Sequence, residues 1–204
     1  MKTQPKKEVS VMSQGDRFRM LGELYINFSD ELREKVSFDG SRFRFTVKGA
    51  GEETHQLGQA RKFLGCNITG AVKEMLVAPG YDDGHRLVRG RDYEMVLCYT
   101  GEFLNRAECT KTSVRNLMAA EFGTTVNVEP EAEFVFLIRK MFSYAELKMM
   151  GLEYMAVLHA RTGRDVTMNQ LMSRQKGGDP WVQSWFIDPD NPWDGQGAFA
   201  FPFR

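Results

Sequence analysis

Residues 177–204 read GGDPWVQSWFIDPDNPWDGQGAFAFPFR, and how this stretch is read decides the fold. It holds all three tryptophans of the chain, Trp181, Trp185 and Trp193, and four of its seven prolines, Pro180, Pro189, Pro192 and Pro202. Proline lacks a backbone N–H and fixes φ, so these positions argue against a continuous helix and against a central strand. The aromatic content is too high for an inert solvated tail. The stretch is therefore expected to be non-regular. It is either a strap over the core of its own domain or a docking peptide that offers Trp181, Trp185, Trp193, Phe199, Phe201 and Phe203 to a partner.

Outward from this stretch the composition changes. The terminal residues carry four aspartates and one arginine, a net of −3, so the neutral chain of 204 residues has a body of net +3 in residues 1–176. A mildly basic body with an acidic appendage is compatible with nucleic-acid binding, which the whole-chain charge alone would not suggest. Residues 1–16 are polar and lysine-bearing and read as a flexible arm, leaving 17–176 as one globular domain. The three cysteines, Cys66, Cys98 and Cys109, show no CxxC spacing, which points away from a disulfide framework or a zinc knuckle. No stretch approaches 18 consecutive apolar residues and the start lacks an apolar leader, so a cytoplasmic protein without membrane contact is expected.

Within the body, helices and strands alternate without long regular crossovers, which favours an α+β class over a doubly wound parallel sheet. Strands are expected at 17–28, 42–48, 92–99, 124–128 and 134–138, the last two as a hairpin about Pro130. Helices are expected at 31–36 behind a Ser29 cap, at 52–64, over the periodic run 68–76 and at 113–122, the last closed by Gly123. A longer helix is expected at 144–160, opened by the Ser143–Glu146 capping box, and a short one from Thr167 to Ser173. About five strands and three to five helices fit a partly closed, OB-like barrel.

No catalytic motif, phosphate-cradling glycine loop or metal-ligand spacing is present, so the expectation is a protein without enzymatic activity, cofactor or metal. His55, His85 and His159 are isolated from one another, and Cys66 reads as structural. Glu129, Glu131 and Glu133 read as a solvated hairpin end. Two basic segments stand out. In 42–48, alternation puts Arg42, Arg44, Thr46 and Lys48 on one face and Phe43, Phe45 and Val47 on the other. In the second, Arg86, Arg89 and Arg91 lie among Tyr81 and Tyr93, the cationic and aromatic chemistry that holds single-stranded nucleic acid. The helix at 144–160 is rich in methionine and is either core or an oligomer face.

From Asp188 onward, acids, prolines and terminal phenylalanines give a tail that resembles those of single-stranded-DNA-binding proteins, particularly bacteriophage ones. It departs from their pattern in its few acids and its final Arg204. The resemblance implies an OB-type body that binds the strand and a tail that recruits replication partners or competes with DNA for the basic groove. The expected function is single-stranded DNA binding of phage replication or transcription type. Arg42, Arg44, Lys48, Arg86, Arg89 and Arg91 would then sit on phosphates, and Tyr81 and Tyr93 would stack on bases. The alternative is a protein-interaction module or phage-type inhibitor that binds no nucleic acid and docks through the tail and the methionine helix.

Overall fold

The computed structural model describes residues 9–51, 67–77, 81, 87–159, 171–176, 179–184, 191–193 and 195–204. The helix expected at 52–64, Arg86, Cys66, His55, His85, Trp185 and Thr167 lie outside them.

The chain begins with α1 (Gln14–Ile26) and α2 (Asp30–Lys35), followed by β1 (Val36–Phe38) and β2 (Phe43–Lys48). The middle of the chain contributes β3 (Asn67–Ile68), α3 (Gly70–Leu76), β4 (Asp92–Tyr99), α4 (Lys111–Phe122), α5 (Phe134–Met141) and α6 (Tyr144–Met149). Four strands complete it: β5 (Tyr154–Val157), β6 (Leu171–Lys176), β7 (Asp179–Ser184) and β8 (Gly197–Pro202). Among the described residues, the eight strands join one mixed sheet in the order β1-β2-β4-β8-β5-β6-β7-β3, parallel at β8–β5 and β7–β3 and antiparallel elsewhere. The α+β class holds. The sheet is open, with β1 and β3 as its edges.

The terminal stretch is where the expectation fails. It carries β7 and β8, and β8 lies in the middle of the sheet between β4 and β5, with all six of its residues buried. Along β8 the side chains alternate. Ala198 and Ala200 pack into the core that holds α1, α5 and α6, and Phe199 and Phe201 fill the core beneath α4. Small residues let the helix layer approach one face, and phenylalanines supply the volume on the other. Pro202 is tolerated because it is the last residue of the strand. The backbone carbonyl of Pro202 still accepts from the Asn127 N–H at 2.9 Å. The central strands are thus covered on both faces, which makes their apolar runs nearly continuous.

Five further segments differ from expectation. Residues 17–28, expected as a strand, are helical in α1, where Ser13 accepts a cap bond from the Asp16 N–H and Arg17 and Leu21 are buried four residues apart. The run 134–138, expected as a strand, is α5, with five consecutive buried apolar residues; a run this short does not distinguish the two by pattern. The 144–160 helix stops at Met149. Gly151 takes φ +71°, its N–H bonds the Lys148 carbonyl, and the chain leaves as β5. Residues 124–128 form a tight turn and a single bridge, Val126 to Phe203, in place of a strand. Residues 171–173, expected as the end of a short helix, belong to β6. The caps at Ser29, Ser143 and Gly123 are as expected. Among the described residues no helix is long and apolar enough to cross a membrane.

Candidate nucleic-acid interface

On β2 the alternation is as read: Phe43, Phe45 and Val47 are buried, Arg44 is half-buried, and Thr46 and Lys48 are exposed. Arg42 is the exception. It precedes the strand and turns inward, with no exposed surface. Its Nε and Nη2 donate to the two Glu121 oxygens at 3.0 and 2.7 Å, and its Nη1 donates to Glu102 at 2.7 Å and to the Leu97 carbonyl at 2.9 Å. Arg17 reaches the same two carboxylates at 3.2 and 2.9 Å. Burial alone would depress the Arg42 guanidinium, but the charges and hydrogen bonds of Glu102 and Glu121 raise it above its ordinary range. Two arginines and two glutamates thus balance, and Arg42 is a structural ion, withdrawn from any phosphate.

Arg44 is also engaged. It donates to Asp39 at 2.7 Å and to Glu94 at 3.2 Å, and it lies over the Phe203 ring at 4.8 Å. The face of β2 and β4 therefore carries Asp39, Asp92 and Glu94 against Arg44 and Lys48, which does not make a cationic track. Tyr81 is buried in the core and is not a stacking platform. The remaining described cations, Lys48, Arg89 and Arg91, come together. The backbone of 49–51 lies against that of 88–91: the Gly49 N–H bonds the Arg91 carbonyl at 2.9 Å, and the Gly90 N–H bonds the Gly49 carbonyl at 2.8 Å. This joins the two basic segments at one end of the sheet, with Lys48, Arg89 and Arg91 all exposed. Arg91 lies over the Tyr93 ring at 5.1 Å. Tyr93 is fixed in turn by the Val88 N–H, which donates to its hydroxyl at 2.9 Å, and by edge-on contact with Phe134. Lys48 meets Asp92 at 3.6 Å with both side chains about two-thirds exposed, so the pair is a weak one that water and salt screen.

Glycine makes this junction possible. A Cβ on Gly49 would stand 2.2 Å from the Val88 carbonyl oxygen. Gly51 takes φ +65° against the Arg89 side chain. Beneath it sits Glu133, expected as part of a solvated end and instead fully buried. Its carboxylate accepts from the Ala50 N–H at 3.2 Å and the Leu87 N–H at 2.7 Å, so one side chain ties both loops. Sequence reasoning missed this residue because both of its partners are backbone groups distant in the chain.

Of the described aromatic residues assigned to a partner, Trp193, Phe199 and Phe201 are interior. Trp193 is 2% exposed, edge-on to Phe199 at 4.9 Å and tilted against Tyr154 at 5.8 Å. Phe199 and Phe201 are fully buried in β8. Phe203 is half-buried between Arg44 and Phe122, and Trp181 is half-buried on β7 beside β3. The docking-peptide reading of Trp193, Phe199 and Phe201 is therefore corrected: burying these rings is worth roughly 1.5–3 kcal/mol each, which a free tail would forgo. The methionine run likewise goes to the core at Met150 and Met155.

Cys98 and Cys109 are free and buried; burial pushes the Cys109 thiol up to about 12 and the Cys98 thiol well above its usual range. His159 is buried, and Glu129 pairs with Arg115 at 2.6 Å. Among the described residues no group of three or more His, Cys, Asp or Glu side chains could hold a metal ion. Comparisons with protein-family models, with curated proteins and with solved structures return no match.

Proposed function

We propose that the chain binds single-stranded nucleic acid through Lys48, Arg89, Arg91 and Tyr93. One observation carries the reading: two basic segments some forty residues apart in sequence meet at one sheet end, pinned by Glu133, with a guanidinium over a tyrosine ring among them. In this surface Lys48 and Arg89 contact phosphates. Arg91, held over the Tyr93 ring at 5.1 Å, offers its guanidinium to an unpaired base, a contact available only where bases are unstacked. The terminal stretch takes no part as a recruiting tail in this reading, because Trp193, Phe199 and Phe201 are interior.

The test is fluorescence anisotropy with labelled oligothymidine and a matched duplex across a salt series, using the full chain and a K48A/R89A/R91A variant. Binding to the single strand is expected to weaken at least tenfold in the variant. The salt dependence, on a log–log plot, is expected to flatten by about 1.4, from two lost phosphate contacts at roughly 0.7 each. No binding at low salt, or equal binding by both proteins, overturns the proposal.

A further inference from the structure

At the opposite end of β2 and β4 from the basic junction, a cleft of about 480 Å³ opens between α1 and the turns that follow β4 and precede β8. This is within the range of small-ligand sites, roughly 300–1,000 Å³. One face of α1 forms a wall, with Met20, Glu23, Leu24 and Asn27 at helical i, i+3, i+4, i+7 spacing. The floor is Tyr99 and Thr100. Both are locked: the Tyr99 hydroxyl donates to the Met150 carbonyl at 3.1 Å, and the Thr100 hydroxyl donates to the Gly195 carbonyl at 3.1 Å. Thr100 Oγ1 also accepts from the Gly197 N–H at 3.2 Å, which holds the far wall in place. The cavity is pre-formed, with its polar floor already satisfied and its apolar wall open.

Its charges are different. Arginines at 17, 42, 44 and 115 and lysines at 35 and 48 all face carboxylates. Glu23 and Arg106, both lining the cleft, make no ion pair and no side-chain hydrogen bond among the described residues. One acid, one base and an apolar wall around a fixed cavity are complementary to a small molecule with an ammonium, a carboxylate and an apolar body. We propose that the cleft binds such a zwitterion, a free amino acid or dipeptide with aliphatic side chains. The ammonium lies on Glu23, the carboxylate on Arg106 and the aliphatic part on Met20 and Leu24. This site is separate from the nucleic-acid surface and does not rest on it.

The test is isothermal titration of the full chain with L-leucine and leucyl-leucine, and with N-acetyl-leucine and leucinamide as blocked forms. Glu23→Gln and Arg106→Gln are the variants; both positions are exposed and unpaired, so thermal melts should match the parent. Binding of at least one zwitterion is expected. Acetylation should weaken it at least tenfold in the parent and add nothing in Glu23→Gln, and amidation should behave likewise with Arg106→Gln. The proposal is overturned if neither zwitterion binds at about 10 mM, corresponding to a free energy weaker than roughly −3 kcal/mol. Equal binding of blocked and free forms, or binding unchanged in both variants, also overturns it.

Discussion

Replacing Arg42 with methionine separates its structural role from the nucleic-acid role that its sequence position suggests. The substitution keeps much of the apolar stem and removes four hydrogen bonds: two to Glu121, one to Glu102 and one to the Leu97 carbonyl. It leaves Glu102, whose side chain is 2% exposed, with Arg17 at 3.2 Å and the Tyr99 N–H at 2.7 Å. The balanced quartet becomes one cation against two anions. Breaking a buried pair in this way typically costs about 3–5 kcal/mol. The surviving Arg17 and Tyr99 contacts place the expected loss near the lower end. At about 2–4 °C per kcal/mol for a chain of this size, the melting temperature should fall by roughly 6–12 °C. Adding Glu102→Gln restores charge balance and should recover part of the loss, giving a double-mutant cycle with clear coupling. The gap between parent and Arg42→Met should also narrow on acidification. Glu121 is raised by burial but lowered more by Arg42 and Arg17, so its net shift is downward. A depressed carboxylate contributes stability above its unfolded pKa, and that stability is lost as pH falls through the folded value. Urea denaturation followed by circular dichroism reads the stability, and anisotropy reads the binding. A loss below about 1 kcal/mol, as for a surface pair, would refute the structural reasoning. A folded variant with strongly weakened oligonucleotide binding would restore Arg42 to the interface.

Further outcomes follow from the same packing. A chain ending at Lys176 lacks β7 and the central β8, so it should fail to fold, seen as loss of near-ultraviolet dichroism; a stable truncated domain would contradict the topology. Trp193→Ala removes a ring seated on Tyr154 and Phe199 and should cost about 3–5 kcal/mol by urea denaturation, whereas a change under about 1 kcal/mol would mean the ring is not interior. Cys98 and Cys109 should resist alkylation in the native protein and label fully in denaturant, as read by peptide mass spectrometry; rapid native labelling of either would show that the core beneath α4 opens. Asp39 is raised by burial but lowered more by bonds from the Ser41 hydroxyl and the Arg42 and Ser41 N–H groups and by Arg44, from 3.8 to about 2. Asp39→Asn should therefore be destabilising at neutral pH, and the difference should disappear as pH falls from about 4 toward 2 in pH-dependent melts.

What the sequence made legible was local. Ser29, Ser143 and Gly123 act within four residues of themselves, and the 43–48 alternation states its own burial, so each is readable without knowledge of the fold, whereas the inward turn of Arg42 is not. The failures arise where partners are far away. Five apolar residues at 134–138 fit a buried strand or a buried helix equally, and only their place against β2, β5, β6 and β7 makes them α5. Glu133 looks solvated beside Glu129 and Glu131 until two loops from elsewhere bring their N–H groups to it. Gly151 is a stop signal masked in the sequence by the apolar residues beyond it, which keep helical spacing although they form β5. The terminal stretch is the instructive case. Proline opposes a central strand only where a ladder N–H is needed, and Pro202 stands at the strand's last residue. What remained, Gly-Ala-Phe-Ala-Phe, alternates small and large with period two. That is the pattern of a strand buried on both faces between a close helix layer and a deeper aromatic core, and it was present in the sequence throughout.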